Sequence, residues 1–245
     1  MSFITALIYP FKDREWPGKL GIALLAAAIP LLGFFLIKGW EFETSVRVRR
    51  GDPHPLAAWH DPGKKLWRGL VVRFAEMLYN IPTYIMLILG LIWWISLFVR
   101  YLRGELTTLQ SFADLFVQSL MPRLGMLAAT ALYALLANIL YWSGYLRYIE
   151  TGRFAAFFDI LPNLRLAFRT VWDDILVAIY MVVLGVLTGL LGTLLTAALG
   201  ATGVGVALVP VLIPALTLTI VSWFTGYLFG VLAIRTLGEG VPAAR

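Results

Sequence analysis

The chain has 245 residues, of which 60% are hydrophobic and only 14% are charged, and its formal net charge is +6. A soluble domain carries roughly 25% charged residues, so a water-soluble fold of this composition would expose unusually large apolar patches. Cysteine is absent, which excludes disulfides, thiolate metal sites and lipidated cysteines. The composition therefore predicts a membrane protein, and its long uncharged runs favour helices over a barrel.

Four uncharged runs are long enough to cross a bilayer, and the last of them, Ile175–Ile234, is too long for one helix and suits two with a tight turn. We predict an all-α polytopic transmembrane helix bundle, a single membrane domain over 1–245. The residues before the first run are not a signal peptide and are expected to form a short interfacial segment. Pro30 is expected to kink the first span, and Gly200–Gly205 to form the turn between the last two. The spans are expected over about 20–38, 77–99, 124–146, 175–198 and 206–234.

Three segments between the spans have apolar residues at helical spacing and charged residues opposite them. This pattern is typical of amphipathic helices that lie in the membrane interface. We predict such helices over about 56–73, 105–120 and 154–170, with Pro162 breaking the last one into two pieces. Whether 105–120 dips into the bilayer is left open.

The basic residues are unevenly distributed between the two faces of a five-span bundle. The face with the 38–73 loop, the 154–170 segment and the C-terminus would carry 14 Lys and Arg, and the other face six. The positive-inside rule then predicts a multi-pass protein of the cell membrane, with a cytoplasmic C-terminus and an external N-terminus. Basic residues that flank apolar runs indicate contact with membrane lipids, not with nucleic acid.

Two glycine patterns suggest how the helices pack. Gly39-Trp40, Gly144-Tyr145 and Gly226-Tyr227 each end an odd-numbered span, which predicts a tandem span–surface helix–span repeat of the kind found in many transporters. Gly185 and Gly189 form a G-x-x-x-G, a spacing that permits close helix approach in lipid but is also common in spans generally.

One short loop contains the candidate metal ligands. Two imidazoles and two carboxylates are suited to a divalent cation, but their spacing matches no familiar zinc signature, and the surrounding prolines favour a stiff surface loop. Because both histidines lie here and no phosphate-binding glycine loop occurs, we expect no catalytic residue, no cofactor and no enzyme. The four candidates are Asp52, His54, His60 and Asp61.

Ionisable residues are missing from the middle of the predicted spans, which disfavours a proton-coupled pump. Glu76 and the Asp173–Asp174 pair fall at predicted span edges. There a helix N-terminus, or the nearby Arg73 and Arg169, is expected to neutralise them.

Several short motifs occur in residues 8–70. They are formed by Tyr9, Pro10, Phe11, Asp13 and Trp16, then by Ile29, Pro30 and Gly33, then by Gly51, Pro55, Leu56, Trp59 and Asp61. Together with the third-span exit GYLRYIETGRF, these motifs resemble a prokaryotic multi-span membrane family, catalogued as domain of unknown function 4013. The resemblance covers most of the chain, and its specific part lies in residues 8–70. It implies a bacterial or archaeal membrane protein and supplies no function.

Two functions fit these observations. The lack of catalytic chemistry, with many small and aromatic residues in the spans, favours an accessory or scaffold subunit that binds membrane-protein partners. The repeat, and the prolines inside the spans, favour a transporter or lipid-handling protein. A polar cavity that reaches the middle of the membrane would support solute transport.

Overall fold

The computed structural model describes residues 2–104, 109–200 and 202–238, and every element within these ranges is helical. The all-α prediction is therefore confirmed. Short 3-10 helices cover Tyr9–Lys12 and Phe154–Phe157. The α-helices are α1 (Phe3–Ile8), α2 (Trp16–Ala27), α3 (Leu32–Arg49), α4 (Pro62–Leu102), α5 (Leu109–Thr151), α6 (Ile160–Gly200) and α7 (Gly203–Leu237).

Four described helices are long and apolar enough to cross a membrane. They are Pro62–Leu102, Leu124–Thr151 within α5, Ile160–Leu199 within α6 and Leu208–Leu237 within α7. The predicted spans over 77–99, 124–146, 175–198 and 206–234 all fall on these helices, which confirms a polytopic bundle. The helix break lies within the predicted turn over Gly200–Gly205, because α6 ends at Gly200 and α7 begins at Gly203. Gly203–Gly205 are therefore helical, and residue 201 lies outside the described chain.

The first predicted span, over 20–38, is not one helix. Helix α2 ends at Ala27 and α3 begins at Leu32, because Pro30 cannot donate a backbone hydrogen bond and Leu31 adopts a left-handed conformation with φ 61°. Gly33 then packs against the carbonyls of Ala26 and Ala27. The chain therefore reverses at 28–31, and α2 and α3 form a helical hairpin.

Both ends of this α2–α3 hairpin lie on the same face of the bundle. The indole of Trp59, in the loop after α3, donates to the carbonyl of Lys19 at 2.8 Å. His54 Nδ1 in the same loop is 3.8 Å from Asp13 Oδ1. Asp13–Lys19 and the loop after α3 therefore lie on the same face. The five-span prediction had placed them on opposite faces, with the 20–38 segment crossing the membrane between them.

The predicted interfacial segments are not separate helices. Helices α4, α5 and α6 contain 41, 43 and 41 residues, and each joins such a segment to the span that follows it. Pro162 does not break 154–170, because it lies in the first turn of α6, where backbone N–H groups have no helical partner anyway. The break lies between Phe157 and Ile160 instead. Residues 105–108 lie outside the described chain.

Close helix packing involves a different glycine pair from the one predicted. A Cβ at Gly230 of α7 would collide with Ser45 and Val48 of α3, and one at Gly226 would make a tight contact with Glu41 and Thr44. Gly185 and Gly189 face open space. Gly39 meets the backbone of Lys65 in α4, and Gly144 meets Phe157. The three glycines of the predicted repeat, Gly39, Gly144 and Gly226, thus all lie at close approaches.

The chain divides into two compact units. The first contains Met1–Ala75 and Trp142–Arg245, and its apolar core is built from α1, the α2–α3 hairpin, α6 and α7. Trp40 and Ile37 of α3, and Phe224 and Leu228 of α7, are fully buried there. The second unit, Glu76–Tyr141, contains most of α4 and α5, and within it the Tyr133 hydroxyl donates to the Tyr79 carbonyl at 2.9 Å.

Candidate functional site

The second half of α3 brings polar side chains into the core of the first unit. Residues 37, 40, 41, 44, 45 and 48 are all buried and follow the i, i+3, i+4 spacing of one helix face. Glu41 lies on this face and accepts a 2.6 Å hydrogen bond from Lys38 Nζ, which also lies 5.6 Å from the centre of the Tyr145 ring. The buried carboxylate is therefore compensated within the protein.

A second buried ion pair joins Lys19 in the first turn of α2 to Asp13, which precedes the helix. Lys19 Nζ donates to Asp13 Oδ2 at 2.8 Å, and the Glu15 backbone N–H donates to Asp13 Oδ1 at 3.0 Å. Burial is the largest single effect and opposes ionisation of Asp13. The hydrogen bonds from Lys19 and from the Glu15 N–H, together with the positive charge of Lys19, outweigh it and hold the pKa of this carboxyl below its usual value. Asp13 is thus an anion that fixes the approach to the hairpin.

The loop between α3 and α4 is fixed by side chains from both helices. Lys65 of α4 is buried and donates to Glu43 Oε2 at 2.9 Å and to the carbonyl of His60 at 3.3 Å. Trp40 donates from its indole to the carbonyl of Ala57 at 2.8 Å and stacks on Trp59, with ring centres 6.0 Å apart. The loop is therefore a rigid part of the first unit.

The four metal-ligand candidates each support this loop locally. Asp52 accepts from the backbone N–H of His54 at 2.9 Å and lies 3.6 Å from Arg47. Asp61 has φ 51° and its carbonyl accepts from the first turn of α4, while the hydrogen bond from Lys64 lowers the pKa of its carboxyl. Among the described residues, no three His, Asp or Glu side chains are grouped as a metal ion requires.

Asp173 and Asp174 do not lie at a helix N-terminus, because α6 already begins at Ile160. Asp173 pairs with Arg235 of α7 at 3.2 Å, not with Arg169. Asp174 is buried and accepts from the Thr170 hydroxyl at 2.7 Å. The expected neutralisation of this pair by the helix end and by Arg169 is therefore wrong, since α6 begins about four turns before the apolar run does.

A groove of 920 Å³ opens where α3 and α5 end and α4 begins. Its walls combine apolar and aromatic side chains with three arginines and three carboxylates, and all of them belong to the first unit. A volume of this size is typical of small-molecule sites. The side chains that define this charged groove are Phe42, Glu43, Val46, Arg47, Arg50, Asp52, Arg68, Tyr148, Ile149 and Glu150.

A second groove, of 790 Å³, runs between α6 and α7. Glycine and threonine of α6 form one wall, and Ile213, Thr217 and Val221 of α7 form the other. The hydroxyls of Thr188, Thr193 and Thr196 donate to carbonyls one turn earlier in their own helix. This α6–α7 groove therefore presents mainly methyl groups and exposed backbone.

Sequence reasoning missed the buried polar side chains of α3 because it assigned Lys38–Arg73 to a loop. A signal was present, since Ile37, Trp40, Glu41, Thr44 and Val48 follow a helical period. The charged residues within and beside these positions made the segment resemble a polar loop, so the helical period was not recognised. The Asp13–Lys19 pair, separated by a turn and a helix start, had no comparable signal.

A family model described as Protein of unknown function (DUF4013) matches residues 22–197. The match covers more than half of the chain but leaves out Tyr9–Trp16, which formed part of the resemblance. No curated protein matches the chain, and no solved structure does so either. The bacterial or archaeal origin that the resemblance implies stays a prediction.

Proposed function

The chain belongs to the DUF4013 family of membrane proteins, and on that premise we propose that it is a non-catalytic accessory or scaffold subunit of a membrane assembly. The observation that carries this proposal is the glycine face of α6. Gly185 and Gly189 have no neighbour within 4 Å of a Cβ placed on them, whereas Gly39 of α3 and Gly226 and Gly230 of α7 are packed against other helices. A partner's membrane helix is the occupant we propose for this face.

The form of the α6–α7 groove supports a helix as the occupant. Its lining on α6 extends from Met181 to Ala197, about 24 Å along the helix axis, which is a large part of the 30 Å hydrocarbon layer. Small residues let helix backbones approach closely in lipid, where van der Waals contact drives association. Because the three threonine hydroxyls of α6 already donate internally, the occupant needs no matching acceptors.

The composition of this groove also supports an accessory role over solute transport. An ion or polar solute requires charged or polar groups along its path through the bilayer. The side chains that line the α6–α7 groove include no charged residue. The non-catalytic part of the proposal is supported by the buried charges of the first unit, since Asp13, Lys19, Lys38, Glu41 and Lys65 all lie in internal ion pairs.

We further propose that the face carrying the charged groove is cytoplasmic. Because α2 and α3 form a hairpin, Lys12, Arg14 and Lys19 are counted on this face, and not on the opposite face as in the five-span prediction. If only the four long apolar helices cross the membrane, the order of the spans in the sequence assigns just Arg100, Arg103 and Arg123 of the 20 Lys and Arg to the other side. Each basic residue near an anionic leaflet contributes about 1 kcal/mol, so the positive-inside rule favours this orientation more strongly than in a five-span chain.

The accessory role predicts a specific effect of Gly189→Leu. The tagged protein is purified from native membranes in mild detergent, and its complexes are weighed by native mass spectrometry. We expect the wild-type chain to carry a membrane-protein partner in fixed stoichiometry and Gly189→Leu to lose it while keeping its melting temperature. The matched control is Gly90→Leu in α4, which also has open space around it and should keep the partner. A wild-type chain that is a stable monomer would contradict the proposal.

A further inference from the structure

The charged groove has an apolar floor, and the cations around it outnumber the anions. Phe42, Val46, Tyr148 and Ile149 contribute aromatic and aliphatic surface, and all four are buried or half-buried. The groove also lies next to the end of the apolar part of α5, which places it close to the membrane surface. A ligand that fits must therefore present both apolar and polar groups.

The local charge of the groove is positive once the neighbouring cations are included. Three arginines and three carboxylates line it, but two of these carboxylates also face cations from outside the lining. Lys65 lies 2.9 Å from Glu43, and Arg49 lies 3.6 Å from Glu150. Five cations thus surround three anions, so the groove attracts an anion.

Two of the arginines keep hydrogen-bond donors for a ligand. The side chain of Arg50 is exposed and has no ion pair or hydrogen bond among the described residues. Arg68 lies 3.8 Å from Glu43, beyond hydrogen-bonding distance, and 5.8 Å from the centre of the Phe42 ring. Arg47, in contrast, already donates to the carbonyls of His54 and Leu56. Guanidinium groups match phosphate oxygens in geometry as well as in charge.

We propose that the charged groove binds an anionic phospholipid. Arg50 and Arg68 donate to the oxygens of its phosphate, and the floor formed by Phe42, Val46 and Ile149 contacts the first methylenes of its acyl chains. A basic pocket between membrane helices at the cytoplasmic surface is a known setting for lipid headgroups. The apolar floor selects a lipid over a soluble phosphate compound. This inference is independent of the accessory role, because it concerns a different groove.

The test uses the full-length protein in phosphatidylcholine nanodiscs, with short-chain phosphatidylglycerol as the probe. We expect phosphatidylglycerol to bind saturably and to raise the melting temperature, and short-chain phosphatidylcholine to do neither. Arg50→Gln/Arg68→Gln should weaken phosphatidylglycerol binding by about tenfold or more, because it removes two charge-assisted contacts. Arg50→Gln alone, at an exposed side chain, should leave the melting temperature of the lipid-free protein unchanged and weaken binding severalfold.

The matched control is Arg165→Gln, an exposed arginine of α6 that removes the same charge outside the groove. Equal weakening by Arg165→Gln and Arg50→Gln would mean that only net charge attracts the lipid, which overturns the proposal. Binding of inorganic phosphate or glycerol phosphate as tight as that of phosphatidylglycerol would assign the groove to a soluble ligand and overturn it as well. Unchanged affinity in the double variant has the same consequence.

Discussion

Replacing Gly39 with alanine is expected to lower the free energy of unfolding by about 3 kcal/mol, at the upper end of the usual cost of overpacking. The added Cβ would collide with the carbonyl oxygen and other backbone atoms of Lys65. Backbone cannot rotate away as a flexible side chain does, so α3 and α4 must separate. Gly69 of α4 meets the carbonyl of Phe35 in the same contact, which leaves no room for the helices to slide.

The measurement is thermal or denaturant unfolding of the purified protein in detergent. Gly63→Ala is the matched control, because Gly63 lies in the same helix as Lys65 and has nothing within 4 Å of an added Cβ. It should be neutral, or stabilising by up to about 1 kcal/mol through helix propensity. Equal stability of the Gly39→Ala and Gly63→Ala proteins would show that α3 and α4 do not pack closely.

Glu41→Met is expected to destabilise the first unit by about 3–5 kcal/mol, the usual cost of leaving one charge of a buried pair without its partner. Lys38 is 11% exposed at its side chain and Glu41 3%, so water cannot replace the lost carboxylate. In the double variant Lys38→Met/Glu41→Met both charges are gone, and apolar side chains of similar volume fill the site. The double variant should therefore recover most of the loss.

The same unfolding experiment compares the single, the double and a control variant. Lys64→Met is the control because Lys64 and Asp61 form an exposed pair, 72% and 64% accessible, whose loss should have no measurable effect. A double variant as unstable as Glu41→Met would indicate that Lys38 is not the compensating charge. In that case Glu41 would have to be stabilised by the rest of its buried surroundings.

The four helices that are long and apolar enough to cross a membrane could be predicted from the sequence, because uncharged length alone determines them. The α2–α3 hairpin could not, since Leu20–Ile37 is as long and as apolar as a span. Only Pro30 indicated a break, and a proline is equally compatible with a continuous membrane helix, as Pro82 inside α4 shows. The reversal depends on the conformation of Leu31 and on the packing of Gly33 against α2, which are tertiary effects.

The candidate sites were less accessible to sequence reasoning than the fold. The charged groove joins residues of α3, α4 and α5 that lie far apart in the chain, and its net charge depends on Arg49 and Lys65 behind its walls. The open glycine face of α6 could be recognised as a G-x-x-x-G, but only the neighbouring helices decide that Gly226 and Gly230 are packed while Gly185 and Gly189 are not.

Cysteine accessibility in intact cells tests the hairpin topology most directly, because the chain has no native cysteine. Arg14→Cys, His60→Cys and Thr202→Cys are labelled with a membrane-impermeant maleimide before and after permeabilisation. The four-span account predicts that Arg14→Cys and His60→Cys react only after permeabilisation, and that Thr202→Cys reacts before it. Labelling of Arg14→Cys and His60→Cys from opposite sides would show that the chain crosses the membrane between residues 14 and 60, which contradicts the hairpin.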